Sequence, residues 1–189
     1  FVSSSRIVDR VDTNLLESFE DHMIAAGESL QYELLAFEAQ PTTHELSLAL
    51  GLQAPTLWRL ERLRYVGGRK IALEVRHLPE ALARGINVDW LRERSVQQVL
   101  REGLGLQIGR MENAVSASVA SAEQARVLGT TKGQALLVRE HTIFDTKDRA
   151  LLHGRTYYAG KFSVRYTLGP SADAAAADIK SSPAQSWAH

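Results

Sequence analysis

The fold is decided by residues 59–79, RLERLRYVGGRKIALEVRHLP. Gly67-Gly68 supplies the positive φ angles that a tight hairpin turn needs. The flanking segments 56–66 and 69–78 carry aromatic and β-branched residues at intervals that are typical of strands. The stretch therefore predicts two antiparallel strands joined by a short turn.

One face of the first predicted strand changes from apolar to cationic. Side chains alternate between the two faces of a strand, so Trp58 and Leu60 share a face with Arg62 and Arg64. Two buried cations without a partner are strongly unfavourable. The pattern therefore indicates a negative partner, either Glu74 on the returning strand or a bound phosphate or carboxylate. The alternative is a solvated strand face, on which arginines are common.

The rest of the chain alternates between strand and helix signals. Strands are predicted at residues 31–40, 111–120, 135–145 and 151–158, and helices at 18–27, 43–50, 95–103 and 121–128. Ser18 and Ser95 each have the layout of a capping box, with Asp21 and Gln98 three residues on. These patterns predict defined starts for two of the helices.

The chain contains two similar halves. Residues 44–66 align on residues 122–144 without a gap after a shift of 78, so that Gly51 meets Gly129 and Leu60 meets Val138. Each half reads as strand, helix and hairpin. Two halves predict an α+β fold, with an antiparallel sheet of about six strands and helices on one face. The cleft between the halves is the expected pocket.

Composition excludes several classes of protein. The 189 residues include no cysteine, which removes disulfides, thiolate nucleophiles and Cys-ligated zinc. The 22 basic and 22 acidic residues balance, so no overall field attracts DNA or an anionic membrane. Neither a membrane-spanning run nor a signal-peptide layout is present. We expect a protein without a membrane partner and, given the absence of cysteine, a cytoplasmic location.

Five features occur along the chain in a particular order and spacing. They are Ser18-Phe19, the Arg-x-Arg and following glutamate in residues 57–78, Ser95 before a short helix, Ala125-x-x-Leu128-Gly129, and TYYAGKF at residues 156–162. Together they resemble a UTRA domain, the effector-binding domain of HutC-type transcription regulators in the GntR family. The resemblance covers residues 15–168 and implies a fold similar to that of chorismate lyase.

The resemblance also implies a domain organisation. Phe1-Val2 resembles the end of the Gly-Thr-Phe-Val that closes the wing of an N-terminal winged helix in such regulators. Residues 1–14 are then the end of the wing and a linker, residues 15–168 the effector-binding domain, and residues 169–189 a flexible C-terminal tail. DNA binding is expected only through the missing winged-helix head, and the family implies a homodimer.

The family's pocket is carried over by position. The resemblance implies that Arg62 and Arg64 bind an anionic group of the effector. The forked guanidinium groups of these arginines suit phosphate or carboxylate. It places the backbone amides of Phe19 and Glu20 against the same anion. Glu74 matches a carboxylate that reads hydroxyl or amine groups of the effector, and its structural alternative is to neutralise an arginine.

Three further residues match the pocket, each with a structural alternative. Ser95 donates its hydroxyl to the effector or only caps its helix. Tyr157 or Tyr158 lines the pocket or is half-buried core.

Two positions depart from the family. The shift of 78 puts Leu152 where a second glutamate is common, with His153 facing the other way, and Gln97 stands where an aromatic is common. Both departures suggest an effector that is not an amino-sugar phosphate, or a more apolar pocket.

Three functions are consistent with the sequence. The first is the ligand-sensing half of a regulator, which binds a small anionic metabolite and acts as a homodimer. The second is an enzyme of the chorismate-lyase type, acting on a dicarboxylate, and the third is a metal site at His141 and His153. We expect the first, with no enzymatic activity, no cofactor and no metal. The apolar segment 114–119 lacks the charges that protect a strand edge, which favours a dimer.

Overall fold

The computed structural model describes residues 7–11, 27, 29–160 and 162–166, and within 7–11 and 162–166 it describes the backbone only. The strands of this part are β1 Ile7–Val11, β2 Leu30–Pro41, β3 Thr56–Val66, β4 Arg69–Pro79, β5 Ile108–Val119, β6 Ala135–Asp145, β7 Ala150–Tyr158 and β8 Phe162–Tyr166. Its helices are α1 His44–Leu50, α2 Glu80–Ala83, α3 Trp90–Glu93, α4 Val96–Gln98, which continues into a π-helical turn at Val99–Gly103, and α5 Ala122–Leu128. In the described part, every helix is too short or too polar to cross a bilayer.

The predicted elements that fall on described residues are confirmed. Ser95 caps α4 in a reciprocal capping box with Gln98, and Gly51 and Gly129 end α1 and α5 in the left-handed conformation. The four-residue helices α2 and α3 were not predicted, because neither has a side-chain cap that marks its start. The helix predicted at 18–27 and the tail at 169–189 lie outside the described residues, apart from Gly27.

Six strands form one antiparallel sheet in the order β2-β3-β4-β7-β6-β5. This confirms the predicted α+β architecture. Strands β1 and β8 pair in parallel as a separate two-stranded sheet. Residues 7–11 therefore form a strand, although the sequence indicated a linker there, and the domain boundaries stay predictions.

Helices cover both faces of the sheet, so the expectation of helices on one face was wrong. Leu57 and Leu63 of β3 pack against α1 and α5, respectively. Leu60 of the same strand packs against Leu91 and Leu100 of the 80–104 segment, which contains α2, α3 and α4. Odd and even residues of a strand face opposite ways, and β3 is apolar at both sets of positions. That composition requires cover on both faces.

The two halves occupy equivalent places in the sheet. Each half contributes three strands, in chain order from its own edge of the sheet to the centre. Strand β2 spans Leu30–Pro41 and β5 spans Ile108–Val119, so they are separated by the predicted shift of 78. The link from Gly129 to β6 is one residue longer than the link from Gly51 to β3. Leu136 is therefore the buried counterpart of Leu57. The gapless alignment therefore holds for β2 and α1 but slips by one residue in the next strand.

Candidate functional site

A cleft lies on the face of the sheet that the 80–104 segment covers in part. Its cavity volume is about 40 Å³, and it opens in part to solvent. The lining residues come from β3, β4, β5, β6, β7 and α4: Arg64, Glu74, Arg76, Val96, Gln97, Met111, Arg139, His141, Ile143, Thr156 and Tyr158.

The predicted pairing of two arginines with one carboxylate is present at the base of the cleft. Arg62 lies directly across from Glu74 in the β3–β4 ladder. Arg62 Nε donates to Glu74 Oε2 at 2.8 Å, and Arg64 Nη2 donates to Glu74 Oε1. All three side chains are buried. The cross-strand register therefore supplies the negative partner that the sequence pattern required.

A third arginine joins this group and was missed in the sequence. Arg76 Nη2 lies 3.9 Å from Glu74 Oε2 and donates to Thr156 Oγ1 at 2.8 Å. Arg76 Nη1 donates to the carbonyl of Arg155 at 2.9 Å. The signal was available, since Arg76 follows Glu74 by two positions and so shares its face of β4.

The three neighbouring arginines stabilise the negative charge of Glu74. Burial would raise the pKa of the Glu74 carboxyl, but the charges of Arg62, Arg64 and Arg76 outweigh burial and hold that pKa well below its ordinary value. Glu74 is therefore ionised throughout the physiological pH range. It orders the guanidinium groups around it.

Arg62 has a different set of contacts from Arg64. Its Nη1 donates to the carbonyls of Leu91 and Arg94, each at 2.8 Å, and its guanidinium carbon lies 3.8 Å from the centre of the Tyr32 ring. Arg62 is fully buried and is not among the residues that line the cleft. It fastens the α3 segment to the sheet, whereas Arg64 borders the cleft.

The opposite wall of the cleft comes from β6 and β5. Arg139 Nε donates to Asn113 Oδ1 at 3.2 Å, and His141 lies two residues on along the same face. Burial, together with the charges of Arg76 and Arg139, holds the pKa of His141 well below its ordinary value. The imidazole is therefore neutral at pH 7.

Of the other predicted site residues, Tyr158 alone lines the cleft, where its hydroxyl lies 3.5 Å from Arg64 Nη1. The Ser95 hydroxyl accepts from the Gln98 amide at 3.1 Å, and Ser95 is buried outside the cleft lining. Tyr157 faces the other side of the sheet and packs with Leu63. Phe19 and Glu20 lie outside the described residues.

Leu152 is not the counterpart of Glu74, because the second hairpin has a longer turn. His141 takes the place of Arg62 in the second half, and its cross-strand partner is Gly154. His153 faces away from the cleft, as predicted, and its Nδ1 lies 2.9 Å from Thr142 Oγ1. Among the described side chains, no group of three or more histidines and carboxylates is arranged to hold a metal ion.

Comparison with known proteins gives relatives of one kind. A family model described as UTRA domain matches residues 25–162. The HTH-type transcriptional repressor NagR of Bacillus subtilis (strain 168) is 27% identical over 154 residues, which is 81% of this chain and 62% of that protein. The chain thus spans less than two thirds of the length of that relative.

Solved structures share the fold. The effector domain of PhnF from Mycobacterium smegmatis superposes with a TM-score of 0.74 at 19% identity, covering 86% of this chain and 99% of that chain. A GntR-family transcriptional regulator from Enterococcus faecalis V583 gives a TM-score of 0.62 at 22% identity, covering 73% of this chain and 99% of that chain. These likenesses confirm the chorismate-lyase-like fold.

Proposed function

This chain belongs to the UTRA domain family, and we propose that it is the part of a GntR-type transcription regulator that binds a small anionic metabolite. The observation that carries the proposal is the lining of the cleft, which contains three arginines, Arg64, Arg76 and Arg139, and the single carboxylate of Glu74. Guanidinium groups held in fixed positions suit phosphate and carboxylate. No sulfur or metal chemistry is needed for such binding.

The residues of the site take different parts in this proposal. Arg64 and Arg76 bind the anion, and Glu74 holds both guanidinium groups in place. Tyr158 positions Arg64 from the other side. The backbone amides of Phe19 and Glu20 keep the anion-binding role that the family implies.

Three of the sequence candidates support the site from outside the cleft. Arg62 joins Glu74 to the carbonyls of Leu91 and Arg94, and Ser95 starts α4 directly after that segment. Tyr157 packs beneath the sheet. We therefore assign positioning roles to Arg62 and Ser95 and a packing role to Tyr157.

The regulator is proposed to act as a homodimer in the cytoplasm and to bind DNA through a separate winged-helix head. Strand β5 is an edge of the six-stranded sheet, and Val115 and Val119 are 52% and 67% exposed on it. An edge of this kind is suited to pairing with a second copy. An effector can then alter operator affinity only through its different affinity for two arrangements of the dimer.

Anion binding is tested by calorimetry and thermal shift on the purified chain with inorganic phosphate, hexyl phosphate, hexanoate and glucose 6-phosphate. At least one of them should raise the melting temperature of the wild type. Arg64→Ala should lose that response. Arg84→Ala is the matched control, because the substitution also removes one arginine, and Arg84 pairs with Glu80 on the exposed surface away from the cleft. The proposal fails if no probe binds, or if Arg64→Ala binds as the wild type does.

The alternative of a chorismate-lyase-type enzyme is tested separately. The relatives whose names state a role are transcription regulators or a repressor, and this favours a sensor. Pyruvate release from chorismate is the direct measurement. Turnover by the wild type that Arg64→Ala abolishes would overturn the sensor and favour the lyase.

A further inference from the structure

We propose that the effector of this cleft carries its acid group on an apolar body, rather than on a polyhydroxylated one. The inference rests on the proposed function, since it concerns the ligand class of the same site. Two observations carry it: the distribution of apolar side chains around the cleft, and the state of the hydrogen-bond acceptors that line it.

The apolar residues of the lining lie together. Met111 of β5 pairs directly with Ile143 of β6, and Val96 at the start of α4 belongs to the same core cluster as Ile143. The arginines lie along β3, β4 and β6, with Arg64 and Arg76 on either side of Glu74. A ligand whose acid group lies at the arginines therefore extends its body toward a hydrocarbon wall.

The side-chain oxygens of the lining already receive hydrogen bonds, and the neutral imidazole of His141 adds one acceptor nitrogen. Both carboxylate oxygens of Glu74 accept from arginines, and Thr156 Oγ1 accepts from Arg76 at 2.8 Å. Gln97 Oε1 accepts from Arg101 at 3.3 Å. Hydroxyl groups of a sugar need acceptors for their hydrogens, and a buried hydroxyl without one is costly.

The side-chain amide of Gln97 contributes a hydrogen-bond donor to the cleft. Its Nε2 lies 3.6 Å from the sulfur of Met111, which is a weak acceptor, and Gln97 is buried. The amide therefore has a donor at the boundary between the polar and apolar walls. A carbonyl, ether or hydroxyl oxygen on the effector body would accept from it, but a hydroxyl group would in addition need an acceptor for its own hydrogen.

Four probes separate these features by calorimetry on the purified chain. Hexyl phosphate and glucose 6-phosphate share the phosphate monoester and the number of carbons, so their difference reports the hydroxyl groups together with the sugar ring. Hexanoate against hexyl phosphate distinguishes a carboxylate from a phosphate as the acid group. Inorganic phosphate measures the acid group without a body. We expect hexyl phosphate or hexanoate to bind at least about tenfold more tightly than glucose 6-phosphate.

A variant of the apolar wall gives a second readout. Met111→Gln keeps the length of the side chain and adds an amide, and it should weaken hexyl phosphate by about five- to tenfold while leaving inorganic phosphate unchanged. Leu48→Gln is the matched control, because it also replaces an apolar side chain by an amide, and Leu48 is exposed on α1 outside the cleft lining. It should leave all four affinities unchanged.

The outcomes separate the ligand class from the function. Binding of glucose 6-phosphate as tight as that of hexyl phosphate, lost in Arg64→Ala, overturns the apolar class and leaves anion sensing in place. Equal loss of hexyl phosphate and inorganic phosphate in Met111→Gln overturns it too, since the wall would then act on the acid group. Failure of every probe overturns the proposed function itself.

Discussion

Gly154 of β7 lies directly opposite Arg76 of β4, at a point where the backbone leaves no room for a side chain. A Cβ at residue 154 would lie 2.7 Å from Arg76 Cδ and 2.3 Å from the carbonyl oxygen of Val75. The stem of Arg76 therefore passes over Gly154 on its way to Glu74 and Thr156. The glycine is what allows a third guanidinium group to reach the cleft.

Gly154→Ala should destabilise the protein and disturb the cleft together. The clash with a neighbouring carbonyl forces a backbone shift, which costs about 1–3 kcal/mol in the free energy of unfolding measured with urea. Displacement of Arg76 should weaken binding of hexyl phosphate by about tenfold.

A double-mutant cycle with Arg76→Ala identifies the route of this effect. If Gly154 acts through Arg76, the two losses in binding free energy are not additive, and the double variant binds about as weakly as Arg76→Ala alone. Simple addition of the two losses would contradict the positioning role of Gly154.

Glu74→Gln should be among the most destabilising single changes in the described part of the chain. Glu74 is fully buried and is hydrogen-bonded to both Arg62 and Arg64. Removing its charge leaves buried guanidinium groups without that carboxylate, which costs about 3–5 kcal/mol. Glu80→Gln removes an exposed carboxylate and should change the free energy of unfolding by less than about 0.5 kcal/mol. Similar urea midpoints for the two variants would show that Glu74 has no such role.

Arg62→Ala and Arg64→Ala should differ in kind. Arg62→Ala removes the buried donor to Glu74 Oε2 and to the carbonyls of Leu91 and Arg94, so we expect a loss of about 3 kcal/mol or more in unfolding free energy. Arg64→Ala borders the cleft, and its main effect should be on anion binding. A stable Arg62→Ala protein that no longer binds phosphate would instead place Arg62 in direct contact with the effector, as the sequence indicated.

Stability should fall with acidification below the ordinary histidine pKa of 6.5, because burial lowers the pKa of His141, His77 and His153 in the folded chain. The unfolded chain then binds more protons than the folded one, so unfolding becomes more favourable as pH falls. The window extends from 6.5 down to about 4 for His77.

His141 gives the cleanest measurement in this window. His141 contributes to this loss, because burial makes protonation of its imidazole unfavourable in the folded chain. His141→Gln should flatten the dependence of the urea midpoint on pH below 6.5, and His44→Gln, at an exposed position, is the matched control. An unchanged slope in His141→Gln would mean that this imidazole is already protonated in the folded chain.

The hairpins, the helix caps and the sheet were predictable because their signals are local. Gly67-Gly68 determines a turn, and Ser95 with Gln98 determines a helix start, wherever the segment lies in the molecule. The exact pairing of Arg62 with Glu74 was not fixed by the turn. A two-residue turn alone would place Leu73 opposite Arg62, and a β-bulge between Arg64 and Tyr65 brings Glu74 there instead.

The wall of the cleft was not predictable, because its position depends on signals that are not local. The four-residue turn between Asp145 and Ala150 and the longer link after Gly129 change the register of the second half, so Gly154 rather than Leu152 opposes His141. A shift of one residue moves every side chain to the other face. Arg139 and His141 therefore enter the cleft through a non-local register that no single motif records.

Val115→Lys should weaken a homodimer that pairs through β5. The strand is one of the two edges of the six-stranded sheet, and its Val115 side chain is 52% exposed. Within the described residues no further strand pairs with its outward side, which suits antiparallel pairing with a second copy. Two lysines brought close across a two-fold axis repel each other and have to be desolvated, so the dissociation constant should rise by at least about tenfold. Light scattering after size exclusion, over a dilution series, measures the change.

Leu48→Lys is the matched control for this experiment, because Leu48 is 69% exposed on α1 and lies away from the edge. It replaces an exposed apolar side chain by the same cation, so it corrects for a general effect of charge on association. A dimer that Leu48→Lys breaks and Val115→Lys does not would move the interface to the face that α1 covers. A wild type that stays monomeric at every concentration would remove β5 as an interface of this chain, and the exposed valines would then need another partner.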